Sequence, residues 1–425
     1  MKTLKQIYDI EKENNRIDAS FYSEYNVKQG LRNKNGTGVK VGLTKICDVI
    51  GYVMEDNQKH NVDGQLIFRG YPVSFLVSQG LHYEDVAFLL LMGRLPYEME
   101  RQLFLKEIMQ NVRMDCLDVS YHSSNLLNAL QVEVLKLYSL DACPESDMLV
   151  DRFEKGFQIF SSLPLFVFSH FYHRRIVSYP FENDSFAKNI LALARDCKEC
   201  SVQEVRVMDT LLMLHADHGG GNNSTFANVV ISSTGTDVYS CIGAAIGSLK
   251  GPRHGGAAGK VKRQFDFIQQ DVGICCDRVL LKNIIDRMLN RDYFDHSGLI
   301  YGMGHAIYTK SDPRAVLIKH ECELLAKEKH MEDEFHMLSL FEELATEAMF
   351  KKKNVVCCAN VDFYSGFAYW MLGIDPDLFT PLFAISRMSG WLAHHLENCQ
   401  SNKKLIRPAN VYIGGLKNDN ENYGV

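Results

Sequence analysis

The sequence predicts a mainly α-helical protein with a minor β element near its N-terminus, and three observations carry that prediction. Apolar runs at helical spacing recur with capping signals. Ser201-Val-Gln-Glu204 is a capping box, Asp312-Pro313 opens a helix, and Gly93 with Pro96 beyond it closes one. Strand-like clusters occur in one region only, Ile46–Met54 and Leu66–Phe68. Prolines number only 10 in 425 residues, and no Gly/Ser-rich linker marks a domain boundary.

Met1–Arg16 is mixed in charge and helix-like, without the apolar core of a signal peptide. Asn61-Val62-Asp63-Gly64 reads as a turn between small strands or within a hairpin. Helices are expected at Tyr83–Met92, Met99–Val112, Ser124–Leu140 and Met148–Tyr172. Val207, Met208, Leu211, Leu212 and Leu214 make a strongly apolar helix after Ser201. Gly243-Ala-Ala-Ile-Gly-Ser248 is a small-residue helical segment, which permits close packing. Thr380-Pro381 reads as the cap of a long helix running through Glu397.

Composition narrows the function. Hydrophobic residues are 46% and charged residues 23%, ordinary for a globular protein. No apolar run approaches the ~20 residues of a membrane span, so no membrane partner is expected. A net charge of −6 argues against nucleic acid. Twelve Cys without a secretory signal read as reduced thiols in a cytoplasmic protein. Lys250, Arg253, Lys260, Lys262 and Arg263 nevertheless fall in one stretch without an acid, and Lys351–Lys353 form a second cluster. Such runs are usually solvated faces; here they also suit a phosphorylated small molecule.

Four stretches concentrate the chemistry. In Tyr301–Ala315, Gly302 and Gly304 lead into His305, so an imidazole is presented from a loop. Arg314 follows in the first turn of a helix capped by Asp312. A titratable His beside a fixed cation suits an anion with a polarised carbonyl. In Ser201–Asn228, His215 and His218 lie three apart. They are expected to share a helix face, with His218 at the C-terminal end, where the dipole favours positive charge. In Gly243–Lys260, His254 again stands beside glycines. In Asn360-Val-Asp362-Phe-Tyr-Ser-Gly366, a carboxylate sits in apolar company, which raises its pKa and makes it a better base for a carbon acid. Arg387 lies downstream; its plain structural alternative is a surface ion pair.

No metal site is expected. Cys197-x-x-Cys200 precedes His215 and His218, but the pairs are too far apart and the His residues too close for a zinc finger. There is no H-E-x-x-H motif and no P-loop.

Together these stretches resemble the citrate synthase family, which includes 2-methylcitrate synthases. The resemblance runs through Asn61–Pro96, His215–Phe226, Gly251–Gly259, Gly302–Arg314, Asn360–Gly366 and Arg387–His394. It implies a two-domain citrate-synthase-like helical fold. Residues 1–253 and 361–425 would form a large domain with a C-terminal arm, and 254–360 a small domain that closes over the substrates. It implies condensation of an acyl-CoA with oxaloacetate, and hydrolysis of the product thioester, without a cofactor. Asp362 would be the base, His254 the donor to the thioester oxygen, and His305 the group polarising the oxaloacetate ketone. His218, Arg314 and Arg387 would hold the dicarboxylate, joined by Arg407 from the partner subunit of a homodimer or a multiple of it. Lys250, Arg263, Lys310, Lys353 and Asn360 would serve CoA.

Three positions depart from the family pattern. Gly219 stands where Glu is common, Ala359 where Pro is common, and Ala409 where a second Arg is common. None removes a catalytic group. The nearest alternative is a 2-methylcitrate synthase using propionyl-CoA. Alternatives of other classes are a metal-dependent hydrolase built on His215, His218 and the Cys pairs, and a helical binding protein without catalysis.

Overall fold

A single helix, Phe379–Ser401, explains much of the architecture. Leu382, Ala384, Ile385, Met388, Gly390, Trp391, Leu392 and Ala393 make it apolar or small nearly all round, so it is buried on most sides. Helices Tyr83–Met92, Leu149–Phe171, Val202–His215, Asn223–Ser232 and Val238–Leu249 pack against it. Gly156 lets the Leu149–Phe171 helix approach closely, since a Cβ there would stand 2.2 Å from Leu392 Cδ1. The C-terminal part of the chain thus forms the middle of the core.

The computed structural model describes residues 3–56, 58–121, 123–353, 356–401 and 404–414, with the Lys353 side chain outside that set. Leu43–Leu405 is one compact unit; Met1–Gly42 and Ile406–Val425 group as a second. The second unit holds helices Leu4–Glu11 and Ala19–Glu24, and none of its described residues is buried.

The helical reading holds closely. The helix Tyr83–Met92 spans the expected residues and ends on Gly93 at φ +83°. The next three run Glu98–Gln110, Leu126–Leu140 and Leu149–Phe171. Ser201 and Glu204 form the expected capping box. Asp312 caps Pro313–Lys329. Thr380 does not cap the last long helix; it lies inside it and donates to Gly255 O at 2.9 Å.

The β element is one antiparallel sheet in the order β1 (Cys47–Glu55), β2 (Gln58–Phe68), β3 (Tyr71–Pro72). Asn61–Gly64 is not its turn, because those residues lie inside β2. Their turn-prone composition serves a different need. A Cβ on Gly64 would stand 2.2 Å from Ser311 O, and one on Gly51 would stand 2.5 Å from Ile307 O. Both glycines let a loop lie directly on the sheet.

Candidate active site

That loop carries His305, and it is held from two sides. On the sheet side, Gly64 N donates to Ser311 Oγ at 3.1 Å and Tyr308 Oη donates to Gln65 O at 3.1 Å. On the other side it is zipped to the segment before Asp362. Gly304 N donates to Cys358 O at 2.8 Å, Asn360 N donates to Gly302 O at 2.8 Å, and Met303 bridges Ala359. Gly302 at φ +84° and Gly304 at φ +87° supply the left-handed angles this path needs. The long-range pairing therefore places the His305 loop beside the helix Val361–Met371.

The loop also sets the protonation of His305. Ile307 N and Tyr308 N both donate to His305 Nδ1, each at 3.1 Å. A neutral imidazole accepting at Nδ1 carries its proton on Nε2. That Nε2 lies 3.1 Å from His218 Nε2, so His305 is the donor and His218 the acceptor. His218 then holds its own proton on Nδ1, which is buried and has no partner among the described residues.

His218 differs from the sequence expectation. The helix Val202–His215 ends with Ala216 as its cap, so His218 lies beyond it and shares no helix face with His215. Burial pushes its pKa well below the ordinary value, with Arg314, His305, Arg387 and His254 adding to the effect. Burial, with two guanidiniums nearby, outweighs a helix end. His218 is therefore neutral, not an imidazolium.

Two buried guanidiniums face this pair. Arg314 donates to Asp312 through Nε at 3.0 Å and Nη2 at 2.7 Å, a two-pronged ion pair at the start of its helix. Arg387 is fully buried rather than a surface residue. Its Nε donates to His215 O at 2.6 Å, while Nη1 and Nη2 have no partner among the described residues. Burial depresses its pKa to about 10. A buried cation with two free donors is prepared to receive a carboxylate.

Asp362 lies in the first turn of its helix, where Asn360 Oδ1 accepts from its N–H at 3.0 Å. Burial pushes its carboxyl up to about 6, against the pull of Arg314 and Arg387. His254 is depressed to about 4, by burial first and Arg387 second. Near neutral pH Asp362 is thus a carboxylate and His254 a neutral imidazole. His254 Nε2 lies 3.0 Å from Ser224 Oγ, which also receives Trp391 Nε1 at 3.1 Å and reaches Asn222 Oδ1 at 2.9 Å. Ser224 gives its one proton to Asn222 Oδ1, so toward Trp391 Nε1 and His254 Nε2 its oxygen accepts.

Sequence reasoning missed several of these groups. Phe383 is one turn before Arg387, and His215, His254 and Arg387 all pack on its ring, at 4.6, 6.2 and 4.7 Å. The four-residue spacing was its readable signal. Tyr308 stacks on His305 at 4.7 Å. Ser224 gave no signal beyond its neighbourhood to His218.

The expected CoA residues are more scattered. Lys250 Nζ is turned to Asn128 Oδ1 at 3.1 Å and Gln131 Oε1 at 3.0 Å. Arg263 and Lys310 are exposed. Asn360 spends both ends of its side chain on the protein, the amide donating to Gly304 O at 2.9 Å. The Lys353 side chain lies outside the described residues. Arg407 is exposed, in the terminal unit.

The hydrolase alternative loses its ligand set. Cys197 and Cys200 precede the 14-residue helix that ends at His215, a separation of about 20 Å. His215 commits Nδ1 to Leu211 O at 2.8 Å. Among the described residues no group of three or more His, Cys, Asp or Glu is arranged to hold a metal ion.

Comparison with known proteins agrees with the geometry. A profile described as "Citrate synthase, C-terminal domain" matches residues 32–409. The chain is 32% identical over 368 residues to a citrate synthase of Saccharolobus solfataricus, covering 83% of this chain and 92% of that protein. It is 33% identical to a 2-methylcitrate synthase of Shewanella oneidensis, covering 82% and 88%. A citrate synthase of Thermoplasma acidophilum, solved as a ternary complex with carboxymethyl coenzyme A and oxaloacetate, superposes with a TM-score of 0.72 at 26% identity, covering 92% of this chain and 97% of that one. The citrate synthase of Pyrobaculum aerophilum gives a TM-score of 0.73 at 28% identity, covering 89% and 91%. A loop-borne imidazole, a raised carboxyl and two buried guanidiniums thus sit on a shared fold, and the chain belongs to the citrate synthase family of acyltransferases.

Proposed function

We propose that the protein condenses acetyl-CoA with oxaloacetate and hydrolyses the citryl-CoA formed, releasing citrate and CoA. The observation that supports this most is the pairing of opposite shifts, Asp362 raised to about 6 and His254 lowered to about 4. Asp362 takes a proton from the acyl α-carbon while His254 donates to the thioester oxygen. A carbon acid this weak needs both at once. His305 donates from Nε2 to the oxaloacetate ketone and protonates the oxygen as the new carbon–carbon bond forms. Arg314, Arg387 and His218 bind the two carboxylates.

The same reading includes a homodimer, or a multiple of it, in which Arg407 completes the neighbouring subunit's site. Residues 254–360 close as a small domain over the rest, excluding water. Of the residues expected to serve CoA, Arg263 and Lys310 are the exposed cations that would meet its phosphates; no cofactor takes part, and the location is cytoplasmic. Identity to a 2-methylcitrate synthase supports propionyl-CoA as the second candidate acyl donor. One methylene changes discrimination only ~10–200-fold. The test is thiol release with oxaloacetate, acetyl-CoA against propionyl-CoA. Thiol release without oxaloacetate, or none with either thioester, overturns the reading.

A further inference from the structure

Arg387, Gly390 and His394 lie three and four residues apart, so they share one face of the helix Phe379–Ser401. That face grips the segment between His215 and Gly219 at three points. Arg387 Nε donates to His215 O at 2.6 Å. Gly390 backs directly onto the next two residues, where a Cβ would stand 2.4 Å from Ala216 O and 2.7 Å from Asp217 Oδ1. His394 Nε2 donates to Asp217 Oδ2 at 3.0 Å. His218 is the next residue along.

Asp217 is fully buried and His394 nearly so. A buried carboxylate without compensation would take up a proton. Burial alone drives Asp217 upward, yet His394, Arg387 and the His218 backbone N–H more than reverse it, and the carboxyl lies below its ordinary range. Arg387 has the complementary difficulty of a buried cation, and Asp217 is the foremost group sustaining its charge. Arg314 opposes it, while Cys47 and Tyr83 support it more weakly. Arg387 in turn acts on Asp362, His215, His218 and His254. Of the three carboxylates, Asp362 is raised by burial and Asp312 is tied to Arg314, which leaves Asp217 as the anion beside the His218 segment.

We propose that Asp217, oriented by His394, is a positioning residue that pins the His215–Gly219 segment to the last helix and so seats His218 beside Arg387 for a dicarboxylate. The assignment rests on oxaloacetate as the ligand. Asp217 touches no substrate itself.

The experiment compares Asp217→Asn with the wild type. Asparagine keeps the volume and one acceptor, and loses the charge and the second acceptor. The expected result is a KM for oxaloacetate raised at least ~10-fold, with the KM for the acyl-CoA and kcat at saturating oxaloacetate changed far less. A folded Asp217→Asn protein with an unchanged KM for oxaloacetate overturns the proposal, as does an equal loss for both substrates. If that variant does not fold, His394→Gln and His394→Leu decide. Glutamine retains a donor to Asp217 and should bind oxaloacetate nearly normally, whereas leucine should not; equal affinities of the two overturn it. Oxaloacetate calorimetry on each variant needs no turnover. Inactivity of the wild type would therefore fall on the proposed reaction, while the binding comparison still judges Asp217.

Discussion

His305 Nε2 and His218 Nε2 lie 3.1 Å apart, and only one of them carries a proton. The two backbone donors on His305 Nδ1 decide which. His305 Nε2 donates that proton to His218 Nε2. In the proposed reaction oxaloacetate takes His218's place as acceptor. Long-range proton–nitrogen NMR of ¹⁵N-histidine protein should show His305 as the Nε2–H tautomer and His218 as Nδ1–H. His218 should stay neutral well below its ordinary titration range, because its pKa is depressed. Oxaloacetate should shift both Nε2 resonances. A cationic His218 at neutral pH would contradict the arrangement.

Asp362→Asn should lower kcat by ~10²–10⁴-fold and leave oxaloacetate binding nearly intact. In the wild type, activity should fall with acid through about 6, the value of Asp362, rather than about 4, the value of His254. Stability should respond in the opposite sense to the usual carboxylate. The folded value lies above the ordinary 3.8, so the native state favours protonated Asp362. That contribution is complete below about 3.8 and is lost as pH rises through about 6. The asparagine variant should therefore gain more in Tm, relative to wild type, at pH ~8 than at pH ~4. Calorimetry at the two pH values checks it.

Oxaloacetate and the acyl-CoA should bind cooperatively if residues 254–360 close over the site. The dicarboxylate would link Arg387 and His218 to Arg314 and His305. A non-reactive acyl-CoA analogue should bind ~5–150-fold more tightly with oxaloacetate present, and reciprocally. Equal affinities with and without oxaloacetate would show that no closure couples the two.

Gly64→Ala tests whether the sheet seats the catalytic loop. The added Cβ meets backbone, Ser311 O at 2.2 Å, and cannot be relieved by a rotamer change. The cost should be ~1–3 kcal/mol of stability, with a fall in kcat larger than that of a neutral surface variant such as Val202→Ala. Val202 is 89% exposed. Thermal melts and turnover measure the two effects separately.

Arg407→Ala should weaken oxaloacetate binding without unfolding the protein. If the arm serves the neighbouring subunit, chains lacking Arg407 and chains lacking Asp362 should complement when unfolded and refolded together. In a mixed dimer one site then has both groups. Activity no higher than the average of the parents, with mixed dimers demonstrated, would assign Arg407 to its own subunit or to no site.

Local signals determined the helices. Caps at Ser201 and Asp312 and the stop at Gly93 act within a few residues, and the structure follows them. The identities of His254, His305 and Asp362 were legible for the same reason, each standing in a short and unusual run of glycine or apolar neighbours. Tertiary structure alone decided their chemistry. Asn61–Gly64 reads as a turn until the His305 loop is seen lying on Gly64. His218 reads as a helix-end cation until burial and nearby positive charge make it neutral. For Arg387 a surface ion pair stayed the plain alternative until the fold buried it with the helix around it, and brought Asp217 from far along the chain to act on its charge. Hydrogen-bond caps act over one turn of chain, whereas burial and charge act through space, and only the fold says what is near.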